Sequence, residues 1–112
     1  MKPPLAGIKI ADFSRVLAGP YATMLLADLG AEVVKVERPT TGDDTRSWGP
    51  PFDKDGTATY FLSVNRNKSG LTLDLSKPAD QKIAQELIAS SDVVVENFGT
   101  GTMEKFNLGY EQ

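Results

Sequence analysis

Ile8-Lys9-Ile10-Ala11-Asp12-Phe13, Ser14-Arg15-Val16-Leu17-Ala18-Gly19-Pro20 and Glu32-Val33-Val34-Lys35-Val36-Glu37 are the residues from which the architecture follows. The first alternates apolar with polar or small residues, the pattern of a strand. The second is a turn in which Pro20 suits the first position of a helix. In that helix Ala22, Leu25, Leu26 and Leu29 fall at i, i+3, i+4 and i+7 and predict one apolar stripe, with Gly30 as its C-terminal cap. The third, rich in β-branched residues, predicts another strand. Strand, helix and strand in so few residues make a βαβ unit, hence parallel strands and a right-handed crossover.

Beyond this unit, residues 38–58 carry Pro, Gly, Asp and Thr without a period and predict a long irregular loop, of the kind that is often functional. Tyr60 to Val64 and Leu71 to Leu75 read as short strands around a polar turn, Asn65 to Gly70. Ser76 is placed to cap a second helix with Pro78 in its first turn and Ile83, Ala84, Leu87 and Ile88 as its buried stripe. Asp92-Val93-Val94-Val95-Glu96 predicts a central strand, and Met103 to Leu108 a short amphipathic piece. The fold class is α/β, a Rossmann-like, mostly parallel sheet with flanking helices, and the sheet looks unfinished.

Composition narrows the chemistry. The 112 residues are 40% hydrophobic and 24% charged, as expected for one globular domain. A net charge of −3 argues against nucleic-acid binding, which needs a basic face. No apolar run approaches the roughly 20 residues of a membrane helix. Met1 to Leu5 lacks the apolar stretch of a secretory signal, and no Arg/Ser-rich transit segment is seen, so the expectation is a cytoplasmic protein, or a mitochondrial-matrix one in a eukaryote. Without cysteine or histidine, thiolate catalysis, disulfides and the usual zinc ligands are excluded, and any base or nucleophile must be a carboxylate, lysine or hydroxyl.

Parallel sheets bind ligands at the carboxyl ends of their strands. Three irregular segments lie there: Ser14 to Pro20, Arg38 to Pro50, and Asn97 to Thr102. The first joins small residues to a helix start, where free N–H groups favour an anion. The second opens with Arg38, whose fork suits a phosphate. Each also has a plainer reading: Gly19-Pro20 as a turn only, Arg38 as a solvated surface charge. Asp43-Asp44 could hold a cation, but adjacent loop carboxylates are more often solvated or capping. Gly99-x-Gly101 lacks the third glycine of a dinucleotide fingerprint and reads as a structural turn.

The chain resembles the class III CoA-transferases, the formyl-CoA and carnitine CoA-transferase family. The resemblance runs through Leu5-x-Gly7-Ile8-Lys9-Ile10, Ser14 to Pro20, Leu29-Gly30-Ala31 through Arg38-Pro39, Gly42-Asp43-Asp44-Thr45-Arg46, Phe61 to Lys68 and Asp92 to Phe98. Trp48-Gly49-Pro50-Pro51-Phe52 brings it nearest to the branch that moves CoA from succinyl-CoA to dicarboxylates such as glutarate. It implies that residues 1–112 are the amino-terminal part of a CoA-binding, Rossmann-like domain, with no complete second domain. The full protein is expected to be an interlocked homodimer.

By the same resemblance Leu17 and Ala18 contact CoA and Arg38 binds its phosphorylated nucleotide end. Leu73, Asn97, Phe98 and Gly99 line the rest, and Lys105 stands where relatives carry a phosphate-binding arginine. Leu17 replaces the glutamine of formyl-CoA transferases, and Ser76 a lysine that can touch the nucleotide. The substrates implied are an acyl-CoA and a small carboxylic acid, with no metal and no membrane partner. An aspartate is the implied nucleophile; it forms a mixed anhydride and then an aspartyl-CoA thioester, and it lies beyond Gln112. The alternatives are an acyl-CoA racemase of the same fold and a catalytically dead CoA-binding or interaction fragment.

Overall fold

A computed structural model describes residues 1–112. Its elements are strand β1 (Lys9–Asp12), helix α1 (Ala18–Asp28), strand β2 (Glu32–Glu37), helix α2 (Thr59–Ser63), strand β3 (Lys68–Thr72), helix α3 (Pro78–Ala89), strand β4 (Val93–Val95) and the single turn α4 (Thr102–Lys105). A 3-10 turn at Asp44–Ser47 interrupts the loop after β2. The four strands form one sheet in the order β3-β2-β1-β4. Every pairing is parallel, with Ile10 opposite both Val33 and Val93, and Val36 opposite Leu71. No helix is long and apolar enough to cross a membrane.

Strand alternation divides the interior between the two faces of the sheet. Ile10 and Val33 gather with Ala27 and Ala31 on the face covered by α1. Ala11, Phe13, Val36 and Leu73 gather with Ala84 of α3, Met103 and Leu108 on the other. Gly30, with φ +106°, ends α1 as expected, in a conformation that side chains disfavour.

Several expectations are corrected. The α1 stripe is rotated: Pro20, Thr23, Met24 and Ala27 face inward. Leu25 and Leu29 are 43% and 45% exposed, and Tyr21 beside them is 49% exposed. Counting apolar residues passed over Thr23, which turns inward because its hydroxyl reaches Asp12 in the sheet at 2.6 Å. Tyr60 to Val64 is helical rather than extended. Ala58 receives the first bonds of that turn, and the Asn65 side chain caps it by donating to the Phe61 carbonyl at 2.8 Å.

The following strand starts at Lys68 instead of Leu71. Lys68 belongs to the ladder because its ammonium is drawn down to Pro20 O and Asn65 Oδ1, each at 2.9 Å. Ser76 does not cap α3: Lys77 holds that position, and Ser76 bonds back to Asp74. Of the α3 stripe Ala84 is fully buried, Leu87 and Ile88 pack partly against the core, and Ile83 is exposed. Finally, β4 pairs only with β1 and forms an edge, so Val93 and Val94 are 43% and 38% exposed.

Candidate functional site

All three irregular segments picked out above meet at the carboxyl ends of the strands, joined by the segment after β3. Between them lies a cavity of about 270 Å³. Phe13, Val36, Leu73, Leu75, Phe98 and Phe106 give it apolar walls, and Arg15, Arg38, Glu37, Asp43 and Asp74 bring charge to it. Flat apolar walls beside guanidinium groups suit a ligand with an aromatic ring and attached phosphates. The acidic side chains form no group of three or more that could hold a metal ion.

The residues singled out in the sequence divide in two. Arg38, Leu73 and Phe98 line the cavity, as does Ser76. Leu17 and Ala18 are exposed at the start of α1, and Gly99 and Lys105 are exposed beyond β4; none of these four lines the cavity. Asn97 points elsewhere. Its Oδ1 accepts from the Arg15 N–H at 2.9 Å and its amide donates to the Arg15 carbonyl at 2.7 Å. It clasps the β1–α1 turn.

Arg38 and Arg15 differ in availability. Arg38 donates to Thr41 Oγ1 at 2.8 Å and is paired with Asp44, both partners being 44% exposed. Arg15 has no carboxylate partner; its guanidinium stands over the Phe98 ring, 5.0 Å from the centroid. Stacking of this kind leaves the planar fork free for an anion. Sequence reading passed over Arg15, although its place directly after β1 marked it as facing the strand ends.

Under the turn runs a buried charged network that the sequence reading also missed. Asp12, fully buried, accepts from the Ser14 N–H at 2.9 Å, from the Ser14 and Thr23 hydroxyls, and faces Lys68 Nζ at 3.5 Å. Lys35 donates to Ser14 O at 3.0 Å and to Asp43 at 2.9 Å, with both side chains buried. Asp43 and Asp44 thus diverge: Asp43 turns inward to Lys35 and caps the 3-10 turn as expected, accepting from the Thr45 N–H, while Asp44 pairs outward with Arg38. The available signal was a lysine among valines in β2 and a carboxylate ending β1, charges that a buried strand admits only when paired.

Burial acts on these groups in opposite senses. It pushes the Lys68 ammonium down to about 8, against the pull of Asp12. Burial also disfavours the Asp43 and Glu37 anions. For Asp43 the Thr45 N–H and Lys35 more than offset it, and for Glu37 the Arg46 fork and the Asp43 N–H do so. Both carboxyls therefore lie below their ordinary values. Arg46 in turn lies 3.8 Å from the centroid of the Phe61 ring, tying the loop to α2.

Gly19 packs against this network. A Cβ there would meet the Ser14 side chain at 2.3 Å, so only glycine lets α1 begin so close to the turn.

Known proteins resemble this chain over nearly its whole length. Residues 5–112 match the model of CoA-transferase family III. The chain is 57% identical over 108 residues to the succinyl-CoA:glutarate CoA-transferase of Mus musculus, covering 96% of this chain and 24% of the mouse protein. It is 55% identical over 111 residues to the succinyl-CoA:mesaconate CoA-transferase of Haloarcula hispanica, covering 96% and 28%. A CAIB/BAIF family protein from Brucella suis superposes with a TM-score of 0.93 at 46% identity, covering 99% of this chain and 30% of that one. The chain therefore spans between a fifth and a third of the length of these relatives. With a match that runs from Leu5 to the last residue, this chain belongs to CoA-transferase family III.

Proposed function

We propose that these residues form the nucleotide-binding part of an enzyme that moves CoA from an acyl-CoA such as succinyl-CoA to a carboxylic acid. The observation that carries the reading is the cavity at the strand ends, where Arg15 and Arg38 face apolar walls formed by Phe13, Leu73 and Phe98. The adenine ring would lie against those walls and the phosphates against the two arginines, with Arg38 exchanging Asp44 for a phosphate. The relatives named above are called transferases of succinyl-CoA to glutarate or mesaconate, which supports a dicarboxylate acceptor.

The chemistry belongs to an aspartate outside these residues. Its carboxylate attacks the thioester carbonyl, giving a mixed anhydride and CoA thiolate. The thiolate then attacks the aspartyl carbonyl, releasing the first acid and leaving an aspartyl-CoA thioester. The acceptor carboxylate takes up CoA by the same steps in reverse. Of the aspartates nearest the cavity, Asp12 and Asp43 are buried in ion pairs, Asp44 pairs with Arg38, and Asp74 accepts from the Ser76 hydroxyl. The reading includes the interlocked homodimer, supported by the exposed apolar ridge of Tyr21, Leu25 and Leu29, which calls for further protein over α1.

The test is an assay of the full gene product with succinyl-CoA and a panel of dicarboxylates including glutarate. Formation of the acceptor's CoA thioester is expected. Absence of transfer to every acid, under conditions where the protein is folded, would overturn the reading. Residues 1–112 assayed alone are expected to give no turnover above a no-protein blank.

A further inference from the structure

Val16 has φ +75°. For a β-branched residue this left-handed backbone is unfavourable, because Cβ crowds the following carbonyl. Such a conformation persists only where its surroundings over-determine it, and it tends to occur where a site must be pre-set. Here the backbone leading into Val16 is fastened at each unit from the Ser14 carbonyl to the Val16 N–H. Lys35 Nζ holds the Ser14 carbonyl at 3.0 Å, and Asn97 holds both the N–H and the carbonyl of Arg15. The Val16 N–H itself donates to the Asp43 carboxylate, 3.3 Å from each oxygen.

Asp43 is fixed in its turn. It is 1% exposed, paired with Lys35 at 2.9 Å, and accepts from the Thr45 N–H and hydroxyl at 3.0 and 2.9 Å. We propose that Asp43, braced by Lys35, is a positioning residue that holds Val16 left-handed and so sets the turn presenting Arg15 to the ligand. The proposal rests on the cavity's being the CoA site. It assigns to one half of the Asp43-Asp44 pair a role in ligand binding that involves no contact with ligand. If Val16 relaxed to negative φ, the chain direction through residues 15–17 would change and Arg15 would leave Phe98.

The test uses the full gene product. Asp43→Asn keeps the shape but weakens the hold on the Val16 N–H, and CoA affinity is expected to fall about tenfold, within the range set by one strained residue. Glycine adopts positive φ freely, so adding Val16→Gly to Asp43→Asn is expected to recover at least part of that loss. A purely structural loss of the buried pair would not be recovered; an unchanged or weaker double variant overturns the proposal.

Should Asp43→Asn fail to fold, the melting temperatures of Val16→Gly and Val16→Ala decide. Gly is expected to melt above Ala, and the reverse order overturns the left-handed assignment. If the unmutated protein binds no CoA, the proposed function fails by itself. The order of Gly and Ala, and its dependence on Asp43, still read the positioning claim.

Discussion

Asn97 and Arg15, 82 residues apart in sequence, are joined main chain to side chain by two hydrogen bonds that use both ends of one amide. The carboxyl end of β4 is thereby locked to the carboxyl end of β1. Asn97, which resemblance places in contact with ligand, holds the turn that carries Arg15. Asn97→Ala is expected to destabilise the fold by about 1–2 kcal/mol, the usual range for two exposed hydrogen bonds. It should also weaken CoA binding, whereas Asn97→Asp keeps only the acceptor and should lie between. Urea unfolding and calorimetric titration of the two variants check this.

Arg15 is the cation in the cavity without a carboxylate partner, and Arg38 is the one that must give up Asp44. Arg15→Ala is expected to weaken CoA binding by about 1–3 kcal/mol, the range of a hydrogen bond to a charged group. Asp44→Asn should act in the opposite direction, tightening binding by up to about 1 kcal/mol, because an exposed ion pair is worth no more than that. Titration of each variant at one fixed salt concentration separates the two.

Thr23 supplies Asp12 with a short hydroxyl bond inside the sheet–helix interface. Thr23→Val preserves the shape and removes the donor from a buried carboxylate, and about 1–3 kcal/mol of stability is expected to be lost. Thr23→Ser should retain most of it. Denaturant midpoints at neutral pH measure both.

Lys68 gives a pH dependence with a definite sign. Its ammonium titrates at about 8 when folded and near its ordinary 10.5 when unfolded. Between those values the unfolded chain binds the extra proton, so stability contributed by this group rises with pH across the window and is flat below it. The unfolding free energy of the native protein minus that of Lys68→Met is therefore expected to increase from pH 8 to pH 10.5. Asp43 and Glu37 act at the other end: their contribution is present above the ordinary carboxylate range and is lost as the pH falls through their lowered folded values. Parallel denaturation series at the two extremes test both signs.

The architecture was legible where local pattern and tertiary environment agree. The β1–α1–β2 unit reads directly, because alternation at Ile8 to Phe13, the β-branched run at Val33 to Val36 and Gly30 all act locally. It was not legible where a polar side chain is buried for a reason outside its own segment. Thr23 turns inward for Asp12 and rotates the face of α1; Lys68 turns inward and pulls the start of β3 forward. Val93 and Val94 resemble central-strand residues, yet β4 has a neighbour on one side only. In the site, Arg38, Leu73 and Phe98, which resemblance singles out, line the cavity at the strand ends. Arg15, Lys35 and Asp43 needed the structure, because each is defined by partners far along the chain.

A crystal structure of the full gene product with CoA is the measurement closest to the heart of this account. The adenine is expected between Leu73 and Phe98, with phosphate oxygens within hydrogen-bond reach of Arg15 and of an Arg38 released from Asp44. CoA bound outside this cavity, with the Arg38–Asp44 pair intact, would contradict it.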